Sequence, residues 1–238
     1  PFIGAFEDIA PSHKSVYLFL EAFDSLYTNI RFCCPTRAVR ALAVCSATPG
    51  DGKSTIALQL AQTAAAMGQQ VLLVDANLRS PRLHRWLNLP NLHGLSDLLD
   101  NQSAPDEFIQ RSPLVENLFV LTSGQPLPNS PKRLASAQMR YLREKFQAKF
   151  DLVIYDTPNL LNYTDASFLA ANTDGILMVV RVGETKQSLV NQALDKLKNF
   201  GLPILGVVAN RVNPSALAAP TAEEFKEDEI TPEYLGSA

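Results

Sequence analysis

The sequence predicts an α/β fold, a doubly wound, mainly parallel sheet with helices on both faces. Three observations carry that expectation. Apolar runs of strand length recur along the chain: ALAVCSA at Ala41, VLLVD at Val71, LFVL at Leu118, LVIYD at Leu152, GILMVV at Gly175 and ILGVVAN at Ile204. They are continuous rather than alternating, so both faces of each strand need cover, which is the condition of a parallel sheet between helical layers. Between the first two runs lies SATPGDGKST, Ser46 to Thr55, a glycine-containing turn that ends a strand and opens a helix.

Ahead of the first run, KSVYLFLEAFDSLYTNIRF spaces Phe19, Phe23, Leu26 and Ile30 four, three and four residues apart. That is the stripe of an amphipathic helix, and its ordinary use is core packing. In the loop that follows, Pro49 to Thr55, Gly50 and Gly52 let the backbone N–H groups from Gly50 onward, that of Asp51 among them, turn inward around phosphate. Lys53 can reach the β- and γ-oxygens, and the Ser54 hydroxyl can ligate Mg²⁺. The first glycine of G-x-x-x-x-G-K-[ST] is absent, because that position is Ala47. A good helix former, STIALQLAQTAAAM, comes next and is closed by Gly68 as its C-cap. The stretch from Ser80 to Ser136 concentrates turn formers, including SGQPLPNSP, and reads as loops with short helices.

With 238 residues, 46% hydrophobic and 19% charged, the chain can build one large core. The expected organisation is one nucleotide-binding domain over 1–219, its first 40 residues a helical segment, and an acidic, flexible tail over 220–238. In that tail Glu223, Glu224, Glu227, Asp228, Glu229 and Glu233 face only Lys226. A formal net charge of −3 speaks against a general nucleic-acid binder. No run approaches the ~20 apolar residues that cross a bilayer. The chain starts at Pro1 without a signal pattern, which reads as a piece trimmed from a longer protein whose membrane part lies elsewhere. Cys33, Cys34 and Cys45 fit a reducing compartment, and His13, His84 and His93 show no metal-ligand spacing with them.

Two strand ends narrow the chemistry. VLLVDANLRSP ends its strand on Asp75 and FDLVIYDTP ends on Asp156, placing two carboxylates where the crevice beside Lys53 should open. One such carboxylate holds a metal's water shell while another orients or deprotonates an attacking hydroxyl. Each aspartate alone is equally a buried loop anchor.

These motifs together resemble the cytoplasmic domains of bacterial tyrosine kinases, the branch of the MinD/ParA-like P-loop ATPases that controls capsule and exopolysaccharide export. Glu21, Thr28 and Asn29 in EAFDSLYTNIRF resemble that family's N-terminal helix motif. PGDGKST resembles its Walker A, VLLVDANLRSP its Walker A′ and FDLVIYDTP its Walker B; Gly124, Pro128 and Asn129 fit its connecting loop, and GVVANRV its last core strand. The resemblance implies ATP and Mg²⁺ as cofactors. It implies phosphate binding by Lys53, metal binding by Ser54, Asp156 and Asp75, a catalytic set of Lys53, Asp75, Asn77 and Asp156, and adenine recognition by Asn210 and Arg211. It further implies cytoplasmic location at the inner face of the membrane, attached through a polysaccharide co-polymerase or adaptor segment on the same or a separate chain. Asn210-Arg211-Val212-Asn213 loosely mimics the guanine-reading N-K-x-D, but Asn213 lacks the carboxylate that guanine needs, so adenine is favoured.

Four departures bear on activity. Asn77 stands where the family has the second Asp of D-x-D, and Asn159 follows Pro158 where it has a second proline. Asp24 and Tyr27 replace two arginines that bridge subunits, so self-association weaker than the family's is expected. The tail offers Tyr234 alone as phosphoacceptor in place of a tyrosine cluster. An active kinase and a weakened ATP-binding regulator of the same export system both remain open. A partitioning or septum-site ATPase is disfavoured, since Thr48 occupies the place of that group's loop lysine and the tail is acidic rather than amphipathic.

Overall fold

The computed structural model describes residues 2–3, 13–34, 38–100, 103–127 and 129–212. Pro128, Asn213, Tyr234 and the whole 220–238 tail lie outside the described residues. In chain order the elements are β1 (Phe2–Ile3), α1 (His13–Phe32), β2 (Ala41–Ser46), α2 (Lys53–Ala66), β3 (Val71–Asp75), α3 (Leu83–Trp86), α4 (Leu95–Asp100) and a 3₁₀ turn (Pro105–Glu107). Then come β4 (Ile109–Arg111), β5 (Leu118–Leu121), α5 (Ser130–Leu134), α6 (Ala137–Lys149), β6 (Leu152–Asp156), α7 (Asp165–Ala170), β7 (Gly175–Arg181), α8 (Gln187–Asn199) and β8 (Ile204–Asn210).

The strands form one eight-stranded sheet in the order β1-β8-β7-β2-β6-β3-β5-β4. Every pairing is parallel except β4 with β5. The chain leaves central β2 for β3 and β5, returns to lay β6 between β2 and β3, then crosses to β7 and β8 on the other side. That reversal at β2 opens a crevice at the strands' carboxyl ends.

Continuous apolar strands are covered on both faces, as their pattern requires. Leu42, Val44, Leu73 and Ile154 pack under α1 and α2 with Phe23, Leu26, Ile30, Ile56 and Leu60. On the opposite face, Leu72, Val74, Val153 and Tyr155 meet α4 and α6 through Leu98, Leu142 and Phe146. Ala43, Cys45, Ile176 and Met178 meet α7 and α8 there through Ala166, Ala193 and Leu197. Helix α2 ends as its sequence demands: Gly68 adopts φ 88° and its N–H reaches the Ala65 carbonyl at 3.0 Å. The two short edge strands β1 and β4 carry no run long enough to be read from sequence. Cys33, Cys34 and Cys45 are free thiols. Among the described residues no helix is long and apolar enough to cross a membrane.

Candidate nucleotide site

The loop between β2 and α2 owes its shape to two glycines. Gly50 and Gly52 take φ of 87° and 92°, the left-handed region that side chains avoid. At Gly52 any Cβ would also collide with the Asn210 amide. Gly52 is the N-cap of α2 and offers no side-chain hydrogen bond, so the helix's first N–H groups keep their positive end for an anion.

Two side chains hold this loop from behind. Asp51 is buried, and its carboxylate accepts from the Thr48 N–H at 2.9 Å, the Thr48 hydroxyl at 3.0 Å and the Thr185 hydroxyl at 2.6 Å. Its side chain therefore faces away from the cleft, leaving only its backbone toward phosphate. Asn210, also buried, donates from Nδ2 to the Asp51 carbonyl at 2.9 Å and accepts the Arg211 N–H at 2.9 Å. Both ends of its amide are engaged with backbone rather than turned to a base. Arg211 itself adopts φ 56° and lines the cleft.

The sheet brings the strand-end carboxylates together. Asp156 on β6 is in register with Val44 on one side and Asp75 on the other. Burial pushes both carboxyls above the ordinary value, Asp75 further raised by the charge of Asp156; Lys53, the Ser54 hydroxyl and Arg82 pull Asp156 back down. Their surroundings differ. Asp75 accepts the backbone N–H groups of Arg82 and Leu83 at 3.1 Å each and of Asn77 at 3.3 Å. Asp156 keeps Oδ1 buried without a hydrogen-bond partner. Asn77 lines the cleft, its Oδ1 accepting the Ser80 N–H at 3.3 Å. Asn159 is buried and reaches the Ala47 carbonyl at 3.5 Å.

A cleft of about 320 Å³ runs over Pro49, Gly50, Gly52, Lys53, Ser54 and Thr55. Its far wall contains residues that pattern reading did not single out: Arg79 and Arg82 from the arm after β3, and Tyr163 from the segment before α7. Arg79 pairs with buried Asp165 at 3.2 Å and lies 4.6 Å over the Tyr163 ring. Asp165 also accepts the hydroxyl of buried Ser130. Arg79 and Arg82 stood inside the VLLVDANLRSP segment and its continuation, but only the fold aims them inward. A larger hollow of about 730 Å³ along α8 holds none of the strand-end carboxylates.

Residues 42–236 match the model of the CobQ/CobB/MinD/ParA nucleotide-binding domain. The chain is 36% identical over 190 residues to tyrosine-protein kinase YwqD of Bacillus subtilis, an alignment covering 80% of each protein. This chain belongs to the bacterial tyrosine-kinase branch of that family. Tyrosine-protein kinase etk of Escherichia coli K12 is 32% identical over 200 residues, covering 84% of this chain and 27% of that protein. The chain thus spans about a quarter of that relative and most of the Bacillus one. The crystal structure of the chimerical protein CapA2B2 superposes with TM-score 0.80 at 34% identity, covering 89% of this chain and 92% of that one. Family and fold together make this a P-loop nucleotide-binding domain.

The donor set suits magnesium carried in by a nucleotide. Among the described residues no group of three or more His, Cys, Asp or Glu could hold a metal unaided. Two aspartates and a serine beside an uncapped helix end need phosphate oxygens and waters to complete an octahedron, which is how Mg²⁺ is commonly bound.

Proposed function

We propose that this chain is an ATP- and Mg²⁺-dependent protein tyrosine kinase domain serving capsule or exopolysaccharide export. The observation that carries the reading is the buried, unpartnered Oδ1 of Asp156 beside Ser54 and Lys53, at the foot of an uncapped helix. The relatives' names support tyrosine as acceptor.

In this mechanism the loop N–H groups and Lys53 neutralise the β- and γ-phosphates. Ser54 and Asp156 would hold the magnesium, with Asp75 contributing negative charge behind them; when bound, the ion polarises the transferring phosphoryl group. Arg211 closes the base side of the cleft, and Asn210 sets the position of both Arg211 and the loop. Asn77 faces the acceptor hydroxyl and can accept a hydrogen bond from it, but an amide takes no proton. Phosphoryl transfer is therefore slow relative to nucleotide binding. Tyr234 in the acidic tail is the self-acceptor, and attachment to the inner membrane face runs through a co-polymerase or adaptor segment.

The test is incubation of the purified chain with Mg-ATP, scoring ADP and phosphotyrosine separately. Both should appear. ADP without phosphotyrosine would select a nucleotide-responsive regulator, the reading Asn77 favours, and neither product would overturn the nucleotide-driven function altogether.

A further inference from the structure

The hollow of about 730 Å³ along α8 shares no lining residue with the nucleotide cleft. Its volume lies within the ordinary range of small-ligand sites, about 300–1,000 Å³. Helix α8 divides by its period. Ala193 and Leu197 are buried against the sheet, whereas Ser188, Asn191, Gln192, Asp195 and Asn199 follow helical spacing on one exposed face that lines the hollow. That face runs about 16 Å along the helix axis.

Three observations on it point to a ligand. None of the five side chains makes a hydrogen bond or ion pair among the described residues. Asn191 lies in the helix interior, where asparagine is a poor helix former, and no partner in the fold compensates for it. Phe200, the C-cap, lines the hollow at the helix end with 57% exposure and belongs to none of the core clusters. The lining charges also cancel. Lys196 spends its ammonium on the Leu160 carbonyl at 2.7 Å, and Asp195 is the lining's single carboxylate. What the hollow offers is amides, a hydroxyl and one carboxylate beside a flat apolar ring.

We propose that this hollow binds a neutral oligosaccharide. An amide carries a donor and an acceptor side by side, the complement of two adjacent sugar hydroxyls, and a carboxylate accepts from two such hydroxyls at once. The C–H groups on one face of a pyranose carry slight positive charge, which the negative face of the Phe200 ring attracts. The length of the polar face suits several linked rings rather than one. Such binding is independent of the kinase reading and stands if that reading fails. The hollow adjoins the nucleotide cleft through one segment, since Leu161 lines the first while Asn162 and Tyr163 line the second.

The experiment records amide NMR spectra of the isotope-labelled full chain as cellotetraose, mannotetraose or galactotetraose is added. At least one sugar should shift the signals of Asn191, Gln192 and Asn199, side-chain amides included, with a dissociation constant of about 1 mM or tighter. For that sugar, Phe200→Ala should weaken binding about fivefold or more and Asn191→Ala about threefold, with Mg-ATP affinity held within about twofold. Tyr141→Ala, which removes an exposed ring from α6, should leave sugar binding within about twofold. Because the two sites share a segment, the titration is repeated with saturating Mg-ADP, which should not displace the sugar.

No shift on α8 with any of the three sugars overturns the site. So does displacement in proportion to bound Mg-ADP, which would put the sugar in the nucleotide cleft, and so does a loss in Tyr141→Ala as large as in Phe200→Ala. Tighter binding of tetragalacturonate would overturn the neutral class, and tighter binding of an uncharged peptide of Ser, Asn and Gly would give the face to a polypeptide instead.

Discussion

Asp75 and Asn77 stand two residues apart at the end of β3 in opposite surroundings. Asp75 is fully buried and spends its carboxylate on three backbone N–H groups, whereas Asn77 lines the cleft. On the mechanism proposed above, the side chain that meets the acceptor hydroxyl is thus the one that cannot take its proton. Asn77→Asp should raise the single-turnover rate by about 10²- to 10⁴-fold, the usual worth of a positioned base, with little change in ATP affinity. No gain would assign the proton to Asp75. Lys53→Met removes the ammonium proposed to neutralise the phosphates and should cost about 2–5 kcal/mol of Mg-ATP binding, roughly 30-fold or more, by calorimetry. The buried pair also sets a pH dependence. Both carboxyls titrate above 3.8 in the folded chain, so between those values the folded state holds protons the unfolded state has lost. Their stabilising contribution is full at low pH and is lost as pH rises through the raised values. Urea unfolding in EDTA should show that decline, and Asp156→Asn should flatten it; an unchanged slope in the variant would remove the pair as its cause.

At the scale of elements, the arm after β3 is tied down by one ion pair. Arg79 reaches across to Asp165 at the start of α7, and Asp165 in turn receives Ser130 at the start of α5. One carboxylate therefore fastens three segments that border the cleft. Asp165→Ala leaves a hydroxyl and a guanidinium without their acceptor. It should cost about 2–4 kcal/mol in urea unfolding, less than a fully buried pair because Arg79 is 32% exposed. The arm's fastening predicts more: ATP affinity should fall in the same variant, since Arg79 lines the nucleotide cleft. Helix α1 answers a different need. Phe23, Leu26, Tyr27 and Ile30 are buried while Glu21 and Asp24 are exposed, so Tyr27 serves the core and does not share their outward face.

That division on α1 reaches the whole molecule. An outward face carrying Glu21 and Asp24, with Arg31 two turns beyond Asp24 as its guanidinium, sets two carboxylates against one arginine at any contact between copies. Light scattering at micromolar concentration should find a particle well below an octamer, and a stable octamer would show that other surfaces drive assembly. The sequence by itself determined the six long strands, because runs such as VLLVD and LVIYD have no polar face to turn toward water. It also determined the phosphate loop, whose glycine positions and following alanine-rich helix are local properties. The short edge strands β1 and β4 were not legible, since two or three residues carry no period and pair only because a neighbouring strand is already in place. Likewise the loop's latches, Asp51 to Thr185 and Asn210 to Asp51, join residues 134 and 159 positions apart. Spacing along the chain says nothing of such pairs. Tertiary structure alone decided that Asp75 faces backbone while Asn77 faces the cleft, that Arg79 belongs to Asp165, and that Leu161 meets the polar face of α8 in one hollow, because each depends on which elements the parallel crossovers bring side by side.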